Sequence, residues 1–344
     1  MAEEKAKRRA VAESAARGAA KRRVTSVDVA REAGMSRATV SYVLNNTPGQ
    51  SIPESTRQRV LQAAERLGYT PYAPARTLRS GRSDVVLFVL PDWPQGPTMA
   101  DLVDRAAHVL AEAGLTLVTH VHAAGDDGLA RLWTSLTPAA VFGMRPFSAV
   151  ELESMRRAGI SAVLPYTDQP GEDVGGSLWV LGVGGLQAQY LIGKGHTRLA
   201  CALPDEPRLT ALGRARAEGV ALVCAEAGLP RPVLSTVPLD AEAAAEVIGT
   251  WRGAGVTGIC AYNDEVALAL QAGLRARGES LAVIGADDIP AARFAVPPLT
   301  TVAQDSGELG AHIARALLDA LQGEQPDLET FPGAALHVVE RESA

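Results

Sequence analysis

From residue 84 to the end of the chain, short runs of apolar residues alternate with amphipathic stretches of helical periodicity. The first run is VVLFVLP (85–91), and it precedes a predicted helix near 99–113. Further strand-like runs lie at 115–121, 139–142, 162–165, 199–203, 258–261 and 281–284. This alternation predicts parallel sheets with crossover helices. Roughly 260 residues are enough for two such lobes.

The N-terminal part of the chain has a different pattern, which predicts three short helices. In TSVDVAREAGMSRATVSYVLNN (25–46), Gly34 separates two stretches of helical spacing, and Ser36 is placed to cap the second. Two helices joined by a three-residue connection containing Gly form a helix-turn-helix. The residues SIPE (51–54) offer a capping box for a third helix that ends near Leu67.

Charge divides the chain at the same place. Residues 1–83 hold 16 Lys and Arg against 7 Asp and Glu, a net charge of +9, whereas residues 84–344 hold 17 against 32, a net charge of −15. A small basic module next to a large acidic body indicates that the first part binds a polyanion. Residues 1–23, which are basic and rich in Ala, read as a disordered tail that adds contacts to such a partner.

The N-terminal motifs resemble a known family. The run from Val24 to Asn45, followed by TRQRVLQAAERLGYTP (56–71), resembles the DNA-binding headpiece of the lactose-repressor/galactose-repressor (LacI/GalR) family. The elements DVA, AG-S, TVS and LGY-P stand at the spacing of that family. The resemblance implies a headpiece over 24–70 whose second helix enters the major groove.

Individual DNA contacts follow from this resemblance, position by position. The positions that read bases are occupied by Arg37, Ala38 and Tyr42. Arg is suited to a guanine and Ala to a thymine methyl group. The positions that bond phosphates are occupied by Thr25, Thr39, Ser41 and Asn45.

The segment PYAPARTLRSGRS (71–83) resembles the hinge of the same family. That resemblance implies a short helix that forms on DNA, with Leu78 wedged into a base step of the minor groove and Ala75 and Arg79 beside it. Pro74 departs from the usual hinge pattern but is tolerated in a first helical turn. A plain interdomain linker is the alternative for this segment.

The rest of the chain, 84–344, resembles the two-lobed core of the family, which has a periplasmic-binding-protein-like fold. The resemblance rests on GKGHTRLA (193–200), AYNDEVAL (261–268), VIGADD (283–288), PPLTTVAQD (297–305) and LHVVERES (336–343). It implies that the core binds an effector and forms a dimer. Lobe 1 is predicted at about 84–181 and 302–323, and lobe 2 at about 182–301 and 324–343.

A cleft between two such lobes is the expected site for a small ligand. The resemblance matches Arg214, Asn263 and Asp287 to positions that hydrogen-bond sugar hydroxyls. On the other side it places Met144 and Tyr166 where sugar-binding relatives have Asn and Asp, and Trp93 is near the cleft edge, where its ring can stack on an apolar ligand face. This predicts a pocket less polar than a typical sugar site. A degenerate pocket that binds no effector is the alternative.

Two segments bear a partial likeness to cofactor-binding or metal-binding motifs. GVGG (182–185) fails the dinucleotide fingerprint because Gln187 stands where the third Gly belongs. His120 and His122, with Asp126 and Asp127 nearby, are candidate metal ligands, but further ligands at metal-site spacing are lacking and structural strand-end histidines are favoured. Neither an enzyme nor a cofactor is predicted. The widely spaced Cys201, Cys224 and Cys260 indicate reduced, buried thiols in the cytoplasm.

These observations predict a transcription regulator, with an all-α headpiece and an α/β core, that acts as a repressor. Its partners are a pseudo-palindromic duplex operator, a second copy of the chain, and a small-molecule effector such as a sugar; no membrane partner is predicted. A solute-binding receptor shares the core fold, but it would require export and would carry no helix-turn-helix. A non-specific nucleoid protein is a third hypothesis, distinguished by the ratio of operator to random-DNA affinity.

Overall fold

The computed structural model describes residues 24–44, 50–69, 83–122, 128–144, 147–160, 162–164, 178–326 and 336–344. They belong to two compact units, one formed by the described residues up to 69 and the other by those from 83 onward. Of the predicted segments, the tail (1–23) and nearly all of the hinge (71–83) lie outside the described residues.

The first unit contains three helices, as the sequence pattern predicts. They are α1 (Ser26–Ala33), α2 (Arg37–Leu44) and α3 (Glu54–Leu67). Gly34 ends α1 in the left-handed conformation, with φ of 65°, which is the usual way for a helix to stop and the chain to turn. Ser36 caps α2, since its Oγ accepts a hydrogen bond from the backbone N–H of Thr39 at 3.0 Å.

The start of α3 differs from the prediction. Pro53, with an extended backbone at φ −53° and ψ 141°, is the N-cap residue, so the capping box predicted at 51–54 is absent from this helix start.

A small apolar core holds the three helices together. It consists of Val29, Ala30, Ala33, Val40, Val43, Val60, Ala63 and Ala64.

The second unit alternates strands and helices. In chain order its elements are β1 (Val85–Pro91), α4 (Pro97–Glu112), β2 (Thr116–His122), α5 (Gly128–Leu136), β3 (Ala140–Gly143), α6 (Ala149–Arg157), β4 (Ala162–Leu164), α7 (Leu178–Gly193), β5 (Leu199–Pro204), a 3₁₀ turn (Pro207–Leu209), α8 (Thr210–Glu226), β6 (Val233–Val237), α9 (Ala241–Gly253), β7 (Gly258–Ala261), α10 (Asp264–Arg277), β8 (Ala282–Ala286), a second 3₁₀ turn (Pro290–Phe294), β9 (Thr300–Ala303), α11 (Ser306–Gln322) and β10 (His337–Val339).

These strands form two sheets, which define two lobes. Lobe 1 has the order β2-β1-β3-β4 and lobe 2 the order β10-β9-β8-β7-β5-β6. Neighbouring strands are parallel except for β10, which runs antiparallel to β9. The helix α11 follows lobe-2 strand β9 but packs against α4 of lobe 1, so the chain returns to lobe 1 before β10 completes lobe 2.

Each sheet is covered by helices on both faces, which explains the continuous apolar runs in the sequence. In β1, Val86 and Phe88 pack with α4 and α11, whereas Leu87 and Val89 pack with α5 and α6 on the opposite face. In β5, Ala200 and Ala202 face α9 and α10, while Leu199 and Cys201 face α7 and α8. The side chains therefore alternate between two cores with the period of 2 expected for a strand.

The last described residues are bonded into lobe 2. The Oγ of Ser343 accepts a hydrogen bond from the N–H of Thr300 at 2.8 Å and donates one to the carbonyl of Val283 at 2.6 Å. The N–H of Val283 donates in turn to the carbonyl of Ser343 at 2.8 Å. This segment therefore closes one end of the lobe-2 sheet.

Candidate functional site

The exposed face of α2 carries the three residues predicted to read bases. Arg37, Ala38 and Tyr42 are exposed, while Val40 and Val43 of the same helix are buried in the headpiece core. The helical repeat turns Ala38 and Tyr42 away from Val40 and Val43, and Arg37 is exposed as the first residue of the helix. The structure therefore leaves a guanidinium, a methyl group and a phenol available on one surface.

The described residues predicted to bond phosphates lie at the start of α1 and within α2. Thr25 is exposed, and its hydroxyl donates to Oδ2 of Asp28 at 2.7 Å. Thr39 is half-buried, with its hydroxyl 2.9 Å from the hydroxyl of Ser36, and Ser41 is half-buried as well. Asn45 and the hinge residues Ala75, Leu78 and Arg79 lie outside the described residues.

A cavity of about 450 Å³ lies in the second unit, within the usual range for ligand pockets. Its residues follow the carboxyl ends of strands in both lobes. Trp93 and Met144 follow β1 and β3, and Asn263 and Asp287 follow β7 and β8. Parallel strands in one sheet present their carboxyl ends at the same edge, so within each lobe the topology places these side chains at one edge of the sheet.

Arg216 of α8 is the basic residue in the cavity wall. Its Nη1 donates to the carbonyl of Tyr262, and its Nη2 lies 3.4 Å from Oδ1 of Asp287. The guanidinium carbon is 4.6 Å from the centroid of the Tyr262 ring, within cation–π range. The side chain is only 10% exposed, and its Nε has no hydrogen-bond partner within the described parts of the chain.

This position differs from the sequence prediction, which named Arg214. Arg214 is exposed and does not line the cavity, whereas Arg216 is buried and does. Two residues along a helix correspond to a rotation of about 200°, so the two side chains point in nearly opposite directions. Arg216 lies one helical turn from both Leu212 and Val220, which are buried. That spacing is the signal in the sequence that identifies Arg216.

Asn263 and Asp287 line the cavity, as predicted for the ligand site. Asn263 also caps α10, because its Oδ1 accepts from the N–H of Val266 at 3.0 Å. Asp287 has a φ of 99°, an uncommon backbone conformation for a residue other than Gly. The neighbouring Asp288 points elsewhere, and its Oδ1 is 2.5 Å from Nη2 of Arg341.

The lobe-1 wall contains the predicted Trp93 and Met144. It also contains Met99, Leu102 and Leu309, which come from α4 and α11 and were not predicted from the sequence. These three form part of an ordinary amphipathic pattern, so their sequence context gives no sign of a ligand site. Tyr166, the remaining residue predicted for the effector site, lies outside the described residues.

Comparisons with known proteins agree with this two-part organisation of the chain. Residues 25–72 match the model for bacterial regulatory proteins of the lacI family, and residues 188–344 match a periplasmic binding protein-like domain. The regulator CelR of Thermobifida fusca is 30% identical over 349 aligned positions, which cover 94% of this chain and 99% of that protein. The chain belongs to the lacI family of bacterial regulatory proteins.

Solved structures agree with the lacI-family assignment. A lac repressor dimer bound to operator and the anti-inducer ONPF has a TM-score of 0.73 at 20% identity, covering 94% of this chain and 99% of that one. A CelR–cellobiose complex has a TM-score of 0.61 at 26% identity, covering 94% and 100%. The predicted fold is confirmed: this lacI-family chain combines a DNA-binding helix-turn-helix with a periplasmic-binding-protein-like core of parallel sheets, and it is a transcription regulator.

Two buried polar residues support the cavity of this lacI-family chain from behind. The Nε2 of Gln187 in α7 donates to the carbonyls of Ala261 and Gly285, each at 2.8 Å. Asp264, at the start of α10, accepts from the hydroxyl of Thr301 at 2.6 Å and from the N–H of Ile289 at 2.9 Å. Burial is the main cause that raises the pKa of Asp264 to about 7; the nearby carboxylates Asp287 and Asp288 add to the rise, and the two hydrogen bonds oppose it.

The cysteines and the strand histidines of the lacI-family chain lie outside the cavity wall. Burial raises the pKa of the thiols of Cys201, Cys224 and Cys260. His120 and His122 lie in β2, and Asp126 and Asp127 are outside the described residues. Over the described ranges, no three His, Cys, Asp or Glu side chains form a group that could hold a metal ion. Within the same ranges, no helix is long and apolar enough to cross a bilayer.

Proposed function

We propose that this regulator binds a pseudo-palindromic operator as a dimer, represses transcription, and is controlled by a small molecule in the interlobe cleft. The observation that carries the DNA-binding part is the exposure of Arg37, Ala38 and Tyr42 on α2, while Val40 and Val43 of the same helix are buried in the headpiece core. A helix that projects a guanidinium, a methyl group and a phenol from one face suits the major groove, where each base pair presents a distinct set of donors, acceptors and methyl groups.

Each contact residue has a defined role in this proposal. Arg37 makes a bidentate contact with a guanine, Ala38 contacts a thymine methyl group, and Tyr42 completes the base contacts. Phosphate contacts from Thr25, Thr39, Ser41 and Asn45 fix the register of the headpiece on the duplex without reading sequence. In the hinge, Leu78 enters the minor groove at the centre of the operator, with Ala75 and Arg79 beside it.

The cleft supports control by a ligand that carries hydroxyl groups. Arg216 and the amide N–H groups of Asn263 supply donors, and the carboxylate of Asp287 supplies acceptors. The CelR–cellobiose complex, a structural relative, has a sugar as its ligand. Because the two lobes are connected by several chain segments, a ligand held between them changes the relative stability of open and closed arrangements of the core.

Effector binding and operator binding are then coupled, because both shift the same equilibrium between two arrangements of the core. If an effector lowers operator affinity by a given factor, the operator lowers effector affinity by the same factor. This reciprocity is a direct test of coupling, because it holds for the binding free energies whatever the structural route between the two sites.

Selection of bound duplexes from a random pool by the full-length protein tests the DNA-binding part. We expect a palindromic motif that loses its preference at one base per half-site in Arg37→Ala. Arg66→Ala is the matched control. Arg66 is also an exposed headpiece arginine, but it lies in α3 and pairs with Glu32 of α1. Leu78→Ala should weaken binding at the central step. Affinity for the selected duplex should fall steeply as salt rises.

Failure to recover any motif, both alone and with a pool of metabolites, would refute sequence-specific operator binding. A motif that is identical for the normal protein and Arg37→Ala would refute the role of α2. If the operator is bound but no metabolite alters the affinity, the cleft does not control the regulator, and a constitutive DNA-binding protein with a degenerate pocket is the correct description.

A further inference from the structure

Asp287 and Asp288 have unusual backbone conformations at the edge of the cavity. Their φ angles are 99° and 44°, and in the described parts of the chain Thr137 is the one other residue besides Gly with a positive φ. Residues with a Cβ adopt such angles at a cost and persist in them where the surrounding structure holds them. The conformation alternates the side chains, because Asp287 and Ile289 line the cavity whereas Asp288 between them does not.

Hydrogen bonds hold the two ends of the segment 287–289. The N–H of Asp287 donates to the carbonyl of Val302 in β9 at 2.8 Å, which extends the pairing of β8 with β9. The N–H of Ile289 donates to Oδ2 of the buried Asp264 at 2.9 Å. Asp288 lies between these two bonds and is held through its side chain.

Arg341 is the residue that holds Asp288. Its Nη2 lies 2.5 Å from Oδ1 of Asp288, and its Nη1 donates to the carbonyl of Leu299 at 2.7 Å. The N–H of Arg341 donates to Oγ1 of Thr300 at 3.0 Å, so both ends of this residue are fixed. The side chains of Arg341 and Asp288 are only 14% and 17% exposed. Removal of one would therefore leave the charge of the other largely out of water without this partner.

Arg293 is a second, weaker cationic neighbour of Asp288. Its Nη2 is 3.5 Å from Oδ2 of Asp288, at the limit of a hydrogen bond, and its side chain is 64% exposed. An exposed pair of this length contributes little. The conformation of Asp288 is therefore held mainly by Arg341.

We propose that Arg341 is a positioning residue for the effector site, because by binding Asp288 it keeps the carboxylate of Asp287 in the cavity wall. This inference rests on the proposed effector site. Arg341 does not line the cavity itself, so it acts through the backbone of the segment 287–289. Without Arg341 this segment relaxes toward negative φ in part of the molecules, and the apparent effector affinity falls with the fraction that keeps Asp287 in place.

Two substitutions of Asp288 separate the loss of the ion pair from its effect on the backbone. Asp288→Ala and Asp288→Gly both remove the carboxylate that Arg341 binds, but Gly adopts a positive φ without a steric cost. We expect Arg341→Met and Asp288→Ala to weaken the response to effector by about tenfold or more, and Asp288→Gly to stay within about threefold of the normal protein.

The response is measured on the complex of the full-length protein with its selected operator duplex. The probe is a small-molecule filtrate of bacterial cell extract, and fluorescence anisotropy gives the amount of filtrate that produces half of the change in operator affinity. Lys194→Met is the matched control. Lys194 also bonds the last described residues to lobe 2, through Glu340 at 2.5 Å, and does not line the cavity. It should change the required amount by less than about twofold.

Crystal structures of the two Asp288 variants give a readout that needs no effector. We expect the carboxylate of Asp287 to leave the cavity wall in Asp288→Ala and to stay there in Asp288→Gly. If Arg341 only stabilised lobe 2, Arg341→Met and Asp288→Ala would unfold at lower urea concentration with Asp287 in its normal place. If Arg341→Met does not fold, the two Asp288 variants decide the question.

The positioning role would be overturned by a normal response in Asp288→Ala, by equal losses in Asp288→Ala and Asp288→Gly, or by an unmoved Asp287 in the Asp288→Ala structure. If the filtrate acts on the normal protein and equally on all variants, effector control stands and only the role of Arg341 is wrong. If the filtrate leaves the operator affinity of the normal protein unchanged, the proposed effector control is wrong, and the role of Arg341 in effector binding is wrong with it.

Discussion

Gly184 of α7 lies directly against the backbone carbonyl of Arg216 in α8, so closely that a Cβ on Gly184 would overlap that group. The contact is reciprocated by Gly219 of α8, where a Cβ would overlap the carbonyl of Leu181 in α7. The two helices therefore meet backbone to backbone. This approach fixes the distance between α7 and α8 at Arg216 and hence the position of its guanidinium in the cleft.

Gly184→Ala is expected to lower the free energy of unfolding by about 2 kcal/mol, because the helices must separate to admit the methyl group. It should also weaken effector binding by shifting Arg216. Gly193→Ala is the control, since Gly193 ends the same helix and a Cβ there has no atom within 4 Å. Urea unfolding followed by tryptophan fluorescence measures both variants. Equal stabilities would show that α8 adjusts without cost.

Arg216→Met and Arg214→Met form a second matched pair. Replacing Arg216 leaves the carbonyl of Tyr262 without its donor and Asp287 without its partner, so we expect a loss of about 1–3 kcal/mol of stability and loss of effector binding. Arg214 is exposed, and its replacement should change stability by less than about 0.5 kcal/mol. Equivalent effects of the two substitutions on effector binding would contradict the assignment of Arg216 to the cleft.

Asp264 should make the core less stable as the pH rises, which is the opposite of the effect of a carboxyl group whose pKa is lowered by folding. Its pKa is about 7 in the folded chain against an ordinary value of 3.8, so the folded state holds a proton that the unfolded state releases. The free energy of unfolding should therefore fall as the pH rises from about 4 to about 7, by at most about 4 kcal/mol, and level off above.

Asp264→Asn removes this titration and isolates it from the other ionisable groups. The stability of the variant relative to the normal protein should increase across the same pH window, as measured by urea unfolding at several pH values. All four tryptophans lie beyond residue 84, so their fluorescence reports on the core alone. Parallel pH profiles for the two proteins would show that Asp264 does not bind a proton in this range.

Arg208 and Asp92 connect the two lobes across the mouth of the cleft, with Nη1 and Oδ1 3.1 Å apart. Both side chains are over 40% exposed, so Arg208→Ala should change the free energy of unfolding little. It should nevertheless favour separation of the lobes and expose the adjacent Trp93. Acrylamide quenching should rise in Arg208→Ala, with Trp93→Phe as the baseline. Arg231→Ala, which removes an exposed pair within lobe 2, should leave quenching unchanged.

Much of the fold could be predicted because the strands of a parallel sheet covered on both faces appear in the sequence as continuous apolar runs. The run at 85–91 coincides with β1, and the run at 258–261 coincides with β7. The strand β6 (Val233–Val237) was not predicted, since it lies at the sheet edge and alternates between exposed and half-buried positions. An edge strand lacks the continuous burial that makes the inner strands recognisable.

The candidate site was less predictable. Asn263 and Asp287 follow strand ends in distinctive motifs, whereas Arg214 and Arg216 share one short motif and only the rotation of the helix separates them. The apolar wall was only partly predicted, because Met99 and Leu309 do not differ in type from ordinary core residues. Gln187 was noted in the sequence only as a departure from a glycine fingerprint, and its role became clear from its bonds to two distant strands.

The position of Ser343 in the lobe-2 sheet has a consequence for folding during synthesis. Its hydroxyl bonds a carbonyl 60 positions earlier in the chain, so this contact cannot form until residue 343 has left the ribosome. The ion pair between Glu32 and Arg66 spans only 34 positions, and both of its residues precede the two-lobed unit in the chain. Because nearby contacts form sooner than distant ones, a nascent chain should present a finished DNA-binding unit well before the lobe that regulates it exists.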